Sequence, residues 1–285
     1  MKTGLVVEGG GMKCAYSSGV LDVFLENDIN FDYVNGVSAG SACAASYVAG
    51  QRERNRRFYS IHSMSKKYAS LDNLIRTGSF FGLDYIYSTL TNEDGADPLD
   101  YDAMEANPCE FEVVATDAST GHAAYFNKKD MKRNDYAAIK ASCALPVMSN
   151  PQLVDGREYF DGGVSDSLPI QRAWEKGVRK AVVIFSKPEG YLMQPQKHRV
   201  IFTFALRKYP AVIYRLRHRH EFYNRQITKI RQMRDQGKVL TFSPSADIKV
   251  STYKVDQDIM EELYQNGRED AERRVDELKE FLSVK

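Results

Sequence analysis

Phe31-Asp32-Tyr33-Val34-Asn35-Gly36-Val37-Ser38-Ala39-Gly40 carries an apolar run into a serine that has glycines two positions before and two after it. A Gly-x-Ser-x-Gly between a strand and a helix is a nucleophile elbow: the turn is so sharp that both flanks must be tiny, and the serine oxygen is pushed out at the top of the sheet. The helix expected over Ala39–Val48 points its N-terminus at that oxygen. Its free N–H groups and dipole favour the negative charge that forms when an acyl group is attacked. At average Gly and Ser frequencies the bare pattern arises by chance in roughly one in ten chains of this length. A tight turn with a serine cap gives the same string. Two further segments carry the reading beyond it.

The first is Glu8-Gly9-Gly10-Gly11-Met12-Lys13, between a short apolar strand and a helical stretch beginning at Cys14. Consecutive glycines at a strand end let the backbone approach a ligand and aim successive N–H groups into one concavity. Phosphate binding in dinucleotide sites needs Gly-x-Gly-x-x-Gly; here Cys14 stands at the third position, and no Gly-Lys-Ser/Thr follows. An oxyanion hole and a purely structural glycine turn both stay open. The serine elbow begins only about 25 residues later, one β-α-β unit away, so adjacent parallel strands would bring both loops to one sheet edge. The second segment is Phe160-Asp161-Gly162-Gly163, which precedes a helix start at Leu168-Pro169-Ile170 with proline in the first turn. An aspartate among glycines is most often a turn residue. At a strand end beside a serine elbow it also suits a general base.

These segments, with Ala141-Ser142-Cys143-Ala144-Leu145-Pro146 between them, resemble in order and spacing the patatin-like phospholipases, in particular their short bacterial branch. The resemblance spans about residues 4 to 185. It implies a patatin-like three-layer α/β/α fold with a mostly parallel central sheet, and a Ser-Asp dyad without histidine. Ser38 would be the nucleophile and Asp161 the base. Gly9, Gly10, Gly11 and Met12 would line the oxyanion hole. Lys13 would be the basic residue that ends the loop, with Gly36, Gly40, Gly162 and Gly163 in support. Cys14 stands where many relatives have glycine, and Glu8 where many have aspartate.

Composition fits an enzyme with a large core: 285 residues, 43% of them hydrophobic, and a net charge of +1 that steers nothing toward nucleic acid. Cys14, Cys43, Cys109 and Cys143 are scattered without Cys-x-x-Cys spacing, which speaks against zinc and redox motifs, and reduced thiols suit a cytosol. The stretch Met1–Glu8 reads as no signal peptide, and no run approaches the ~18 apolar residues of a membrane span. The expectation is a cytoplasmic protein with, at most, peripheral membrane contact. No cofactor or metal is called for.

Strands are expected at Gly4–Glu8, Tyr33–Val37, Phe111–Asp117, Tyr159–Asp161, Lys180–Phe185 and Val239–Ser243. Helices are expected at Cys14–Glu26, Ala39–Val48, Tyr136–Ser142, Ile170–Lys176, Tyr214–Asp235 and Gln257–Leu282. This alternation means a mostly parallel sheet covered on both faces, in one domain. Residues 51 to 107, which begin with the basic stretch Arg52–Arg57, read either as a cap or lid or as surface helix and loops. Residues 197 to 285 read as a C-terminal helical extension. Within it, Arg207 to Arg234 interleaves basic and aromatic residues, including Arg215, Arg217, Arg219, Tyr214, Phe222 and Tyr223. Such a stripe suits an anionic lipid surface or nucleic acid, and equally a solvated helix face. His218 and His220 would point about 200° apart on a helix, which disfavours a metal pair. His62, His122 and His198 receive no role.

The chemistry implied is acyl transfer to Ser38 and hydrolysis of the acyl-serine, with a lipid or other carboxylic ester as substrate. Three alternatives stand beside it. A Ser-His-Asp esterase would place its serine later in the chain and a histidine after the acid near the C-terminus. An acyltransferase would need a histidine partner. The third alternative is a non-catalytic lipid-surface binding protein.

Overall fold

The computed structural model describes residues 1–196, 199–246, 248–250 and 255–283; His198 lies outside the described residues. Strands β1 (Thr3–Val7), β2 (Tyr33–Val37), β3 (Glu110–Asp117), β4 (Ala123–Asn127), β5 (Gln152–Val154), β6 (Arg157–Asp161), β7 (Lys180–Ile184) and β8 (Val239–Phe242) form one sheet in the order β5-β6-β3-β2-β1-β7-β8, with β4 paired to β3. From β3 through β8 that path is parallel. β4 and β6 run antiparallel to β3, and β5 antiparallel to β6.

The helices are α1 (Cys14–Glu26), α2 (Ala39–Val48), α3 (Arg54–Ser60), α4 (Leu71–Thr77), α5 (Tyr101–Ala106), α6 (Ala137–Ser142), α7 (Ile170–Glu175), α8 (Arg199–Ala205), α9 (Pro210–Asp235), α10 (Gln257–Glu272) and α11 (Val275–Ser283). They cover both faces of the sheet, giving three layers, α/β/α. The period-two alternation of a strand divides β1 between two cores. Leu5 and Val7 pack in the cluster that holds residues of α1 and α2, while Val6 packs with Ile170 of α7 and Tyr223 and Ile227 of α9. A strand buried on both faces has no polar side, which is why Gly4–Val7 reads as an unbroken apolar run.

Three features depart from the sequence reading. β4 and β5 were not expected: β4 is only half-buried and ends exposed, and β5 is three residues long in a turn-rich stretch. The expected C-terminal helix is two helices, divided at Arg273–Arg274, where Arg274 Nη1 donates to the Thr241 carbonyl at 2.7 Å. The C-terminal stretch, read as a helical extension with a strand at Val239–Ser243, packs on the rest of the domain. It supplies β8 to the sheet, and α10 is tied to α1 by Tyr16 donating to Asp270 and Tyr264 to Asp22, both at 2.9 Å.

Residues 51 to 107 form α3, α4, a π-helix (Tyr85–Leu90) and α5. The basic start of this region is only partly surface: Arg52 is exposed, and Arg56 and Arg57 are half-buried. Arg54 is buried, donating to the Ser46 hydroxyl at 3.0 Å and to the Asp97 carbonyl at 2.8 Å, and Arg57 pairs with Asp97 at 2.8 Å. His62, given no role from sequence, also faces Asp97, at 3.4 Å. Tyr59, Tyr68, Leu83, Ile86 and Tyr87 join the same buried cluster as α1 and α2, so the inner side of this region is core rather than a detached cover. Among the described residues, no helix is long and apolar enough to cross a membrane.

Candidate active site

The glycine loop and the serine elbow meet because β1 and β2 are neighbours in parallel register, Val7 opposite Gly36. Ser38 has φ 54° and ψ −133°, a conformation that is strained for a side-chain-bearing residue. The elbow tolerates no bulk: a Cβ on Gly40 would lie 2.5 Å from the Glu8 carbonyl oxygen, and one on Gly36 2.5 Å from Ser41 Cα. Ser38 occupies the N-cap position of α2, yet its side chain makes no capping hydrogen bond. Its hydroxyl donates instead to Asp161 Oδ2 at 2.6 Å. The reading of Ser38 as a simple cap is thereby set aside.

Asp161 ends β6 and is 2% exposed. Four bonds hold it. Oδ2 accepts from Ser38, and Oδ1 accepts from the Gly163 N–H at 2.7 Å. Its own N–H donates to the Ala144 carbonyl at 2.9 Å, and its carbonyl accepts from Thr116 Oγ1 at 2.8 Å. Burial pushes its pKa up, because charge is costly away from water. The Ser38 hydrogen bond, the Arg219 charge, the Gly163 N–H and the Lys187 charge pull it back. Gly162 is wedged against β3, where a Cβ would meet the Val114 oxygen at 2.1 Å.

The glycine loop faces the same cavity as Ser38 and Asp161. That cavity has a volume of about 560 Å³, and Gly9, Gly10, Gly11, Met12 and Lys13 all line it. Gly11 has φ +55°, in the left-handed region that favours glycine, and opens the short turn to Lys13. The loop is fastened from below. Glu8 is buried, forms an ion pair with Lys187, and accepts from the Ser186 N–H at 2.8 Å, while the Ser186 hydroxyl donates to the Gly9 carbonyl at 2.7 Å. Cys14 is buried at the start of α1, with its thiol donating to the Glu8 carbonyl at 3.4 Å and its pKa raised by burial, so it packs and does not titrate near neutrality. Burial, followed by the charge of Lys187, lowers the Lys13 pKa.

A second, apolar pocket of about 50 Å³ also adjoins Ser38, lined by Phe58, Tyr59, Phe81, Ile86, Tyr87 and Leu145, among others. Apart from Leu145, these come from residues 51 to 107, the region without a clear sequence period.

Several residues gain a place that sequence reading did not assign. Ser142 accepts from the Ser38 N–H at 2.8 Å and donates to the Val114 carbonyl at 2.5 Å, so it buttresses the elbow. It lay within a quoted motif, which was the available signal. Lys187, Arg219 and His220 line the large cavity. Arg219 had been grouped with the basic stripe, and nothing in the local sequence singles out Lys187. His220 reaches neither member of the Ser38–Asp161 pair; among the described residues no histidine hydrogen-bonds to Ser38 or Asp161.

Residues 5–174 match the family model for patatin-like phospholipase, and residues 209–283 match a domain of unknown function, DUF6363. The uncharacterised protein YjjU of Escherichia coli K12 is 27% identical over 67% of this chain and 54% of its own length. An uncharacterised NTE family protein of Mycobacterium tuberculosis is 26% identical over 59% of this chain and 44% of its own. The lysophospholipase nte1 of Aspergillus niger is 28% identical over 66% of this chain but 12% of its own length. The chain thus spans about half the length of the first two. Among solved structures, VipD from Legionella pneumophila covers 97% of this chain and 67% of its own, with TM-score 0.49 and 14% identity.

Proposed function

Because the chain belongs to the patatin-like phospholipase family, we propose that it is a serine acyl hydrolase that cleaves carboxylic esters of lipids, with Ser38 as nucleophile and Asp161 as its base. The observation that carries this reading is the 2.6 Å bond from the Ser38 hydroxyl to a buried carboxylate, made by a serine on a strained elbow that leaves its capping role unused. A hydroxyl is a weak nucleophile until a base takes its proton. Asp161 receives the proton as Ser38 Oγ attacks the ester carbon. The resulting oxyanion is taken by N–H groups of the loop Gly9–Met12, which lines the same cavity. Collapse of the intermediate expels the alkoxide, which takes the proton from Asp161. Asp161 then draws a proton from water, the hydroxide attacks the acyl-serine, and the acid leaves as Ser38 regains its proton.

The two cavities divide the substrate. The small apolar pocket beside Ser38 suits the first carbons of an acyl chain, and the wider one, with Lys13 and Lys187 at its wall, has room for the rest of the substrate. The membrane reading of the basic stretch Arg207–Arg234 is joined by α8, which precedes it. Tyr223 is buried, whereas α8 exposes Val200, Ile201 and Phe204, and Arg207 and Lys208 follow it at the surface. An apolar helix face next to basic residues fits peripheral contact with an anionic bilayer.

The test is fluorophosphonate labelling together with hydrolysis of a p-nitrophenyl ester. Wild type should label and turn over, and Ser38→Ala should do neither. Full hydrolysis by Ser38→Ala would sink the reading.

A further inference from the structure

The apolar stripe of α9 has one charged member. Val212, Leu216, Tyr223, Ile227 and Ile230 are buried, at helical spacing on one face, and Arg219 occupies the position that falls between Leu216 and Tyr223 on that face. Arg215 and Arg217 belong to other faces of the helix, and Arg217 reaches Thr203 Oγ1 at 3.0 Å. Burying part of a guanidinium is costly unless it is paired and hydrogen-bonded. No carboxylate among the described residues forms an ion pair with Arg219. Its Nε donates to the Gly163 carbonyl at 2.5 Å, and the Gly163 N–H in turn donates to Asp161 Oδ1 at 2.7 Å. Arg219 therefore grips the peptide turn that holds the carboxylate bonded to Ser38, and it lines the same cavity.

Resting on the Ser38–Asp161 reading, we propose that Arg219 is a positioning residue for the Asp161 base, and that the C-terminal residues matched by a domain of unknown function complete the hydrolase site rather than form a separate module. The guanidinium fixes the Asp161-Gly162-Gly163 turn so that one carboxylate oxygen is held by the backbone and the other is presented to Ser38. Its charge also favours the ionised carboxylate. The other groups facing Asp161 are Lys187, which is committed to Glu8, the Cys143 thiol, and Ser38 itself.

The experiment compares wild type, Ser38→Ala, Arg219→Met, Arg219→Lys and Arg217→Met on a small soluble ester, reading kcat, KM, the acid limb of the kcat/KM profile and the melting temperature. Arg219→Met should lower kcat on the order of 10- to 100-fold, as misplacement of a reacting group does, with KM little changed. Its acid limb should move to higher pH, because loss of the cation leaves the carboxylate easier to protonate. Arg219→Lys should keep the charge and the limb while losing several-fold in kcat. Arg217→Met should match wild type. A wild-type kcat and an unmoved limb in Arg219→Met overturn the proposal, even if that variant melts earlier. If Arg219→Met does not fold, Arg219→Lys decides: reduced kcat with an unmoved limb supports the role, and wild-type kcat refutes it. Hydrolysis that survives in Ser38→Ala would instead bring down the Ser38–Asp161 reading, and this proposal with it.

Discussion

Val37 and Asp161 stand at consecutive positions along one edge of β3: Val37 pairs with Val114 in parallel register and Asp161 pairs with Ala115 in antiparallel register, while β4 occupies the opposite edge. β2 and β6 thus approach the same edge from opposite directions and end beside one another. The residue after Val37 is Ser38, so 123 positions of sequence separation close to a 2.6 Å hydrogen bond. Backbone pairing with a shared strand, more than any side-chain contact, sets the distance between the two proposed catalytic groups.

Asp161 illustrates a conflict between stability and activity. Burial raises its pKa. A carboxyl whose folded-state pKa lies above its unfolded value stabilises the fold below the unfolded pKa, and that contribution is lost as pH rises through the folded pKa. At neutral pH the ionised group therefore weighs against folding. Asp161→Asn should raise the melting temperature at pH 7 and leave it little changed in strong acid, while turnover falls at least ~10²-fold. Calorimetry at the two pH values checks this; a melting temperature lowered at pH 7 would contradict it. In the wild type, the acid limb of kcat/KM should lie above the ordinary aspartate value of about 3.9.

Ser142 ties the elbow to β3 through Ser38 N and the Val114 carbonyl. Ser142→Ala leaves both groups buried without that partner, which costs about 1–3 kcal/mol. Denaturant unfolding should show a loss of that size, and kcat should fall because the strained elbow loses its brace. Wild-type stability and rate together would mean that the elbow is held by other contacts.

Gly11 and Gly9 separate two ways in which the loop can fail. A Cβ on Gly11 meets nothing within 4 Å, but its φ is +55°. Gly11→Ala should thus cost about 1 kcal/mol of stability and lower kcat modestly through a shifted N–H. A Cβ on Gly9 would lie 2.7 Å from both the Val37 carbonyl oxygen and Ser38 Cβ, so Gly9→Ala should be the more damaging to turnover. Circular dichroism and ester hydrolysis on the same preparations give the ranking; the reverse order would count against the loop's proposed part in the reaction.

The exposed face of α8 makes a membrane prediction. Sedimentation with vesicles of phosphatidylcholine and phosphatidylglycerol should retain the wild type more at low salt than at high salt, since surface attraction is screened within ~8 Å at physiological ionic strength. Ile201→Asp and Phe204→Asp should weaken retention and leave hydrolysis of a soluble ester unchanged. Retention indifferent to both substitutions would mean that α8 is ordinary surface.

Local sequence determined the parts of this protein that backbone geometry dictates locally. The apolar runs Gly4–Val7 and Tyr33–Val37 are buried on both faces and need no partner to be recognised. The glycines around Ser38 and within Gly9–Gly11 mark turns that few other residues can make. That is why the α/β alternation and the residues of the candidate site were legible in the sequence. Tertiary structure alone decided the rest. β6 pairs antiparallel with β3 beyond Val114, on the stretch of edge that β2 leaves free, a pairing between segments about 45 positions apart that no local pattern announces. Arg54 and Arg57 lay in a basic stretch that read as a cap or as surface helix and loops, yet both bond Asp97, about 40 positions away, and Arg54 is buried in doing so. Arg219 looked like one arginine among many. Only the packing of α9 against the sheet puts it on the buried face, one carbonyl from the turn that holds Asp161, because a helix's contacts are chosen by what lies beneath it.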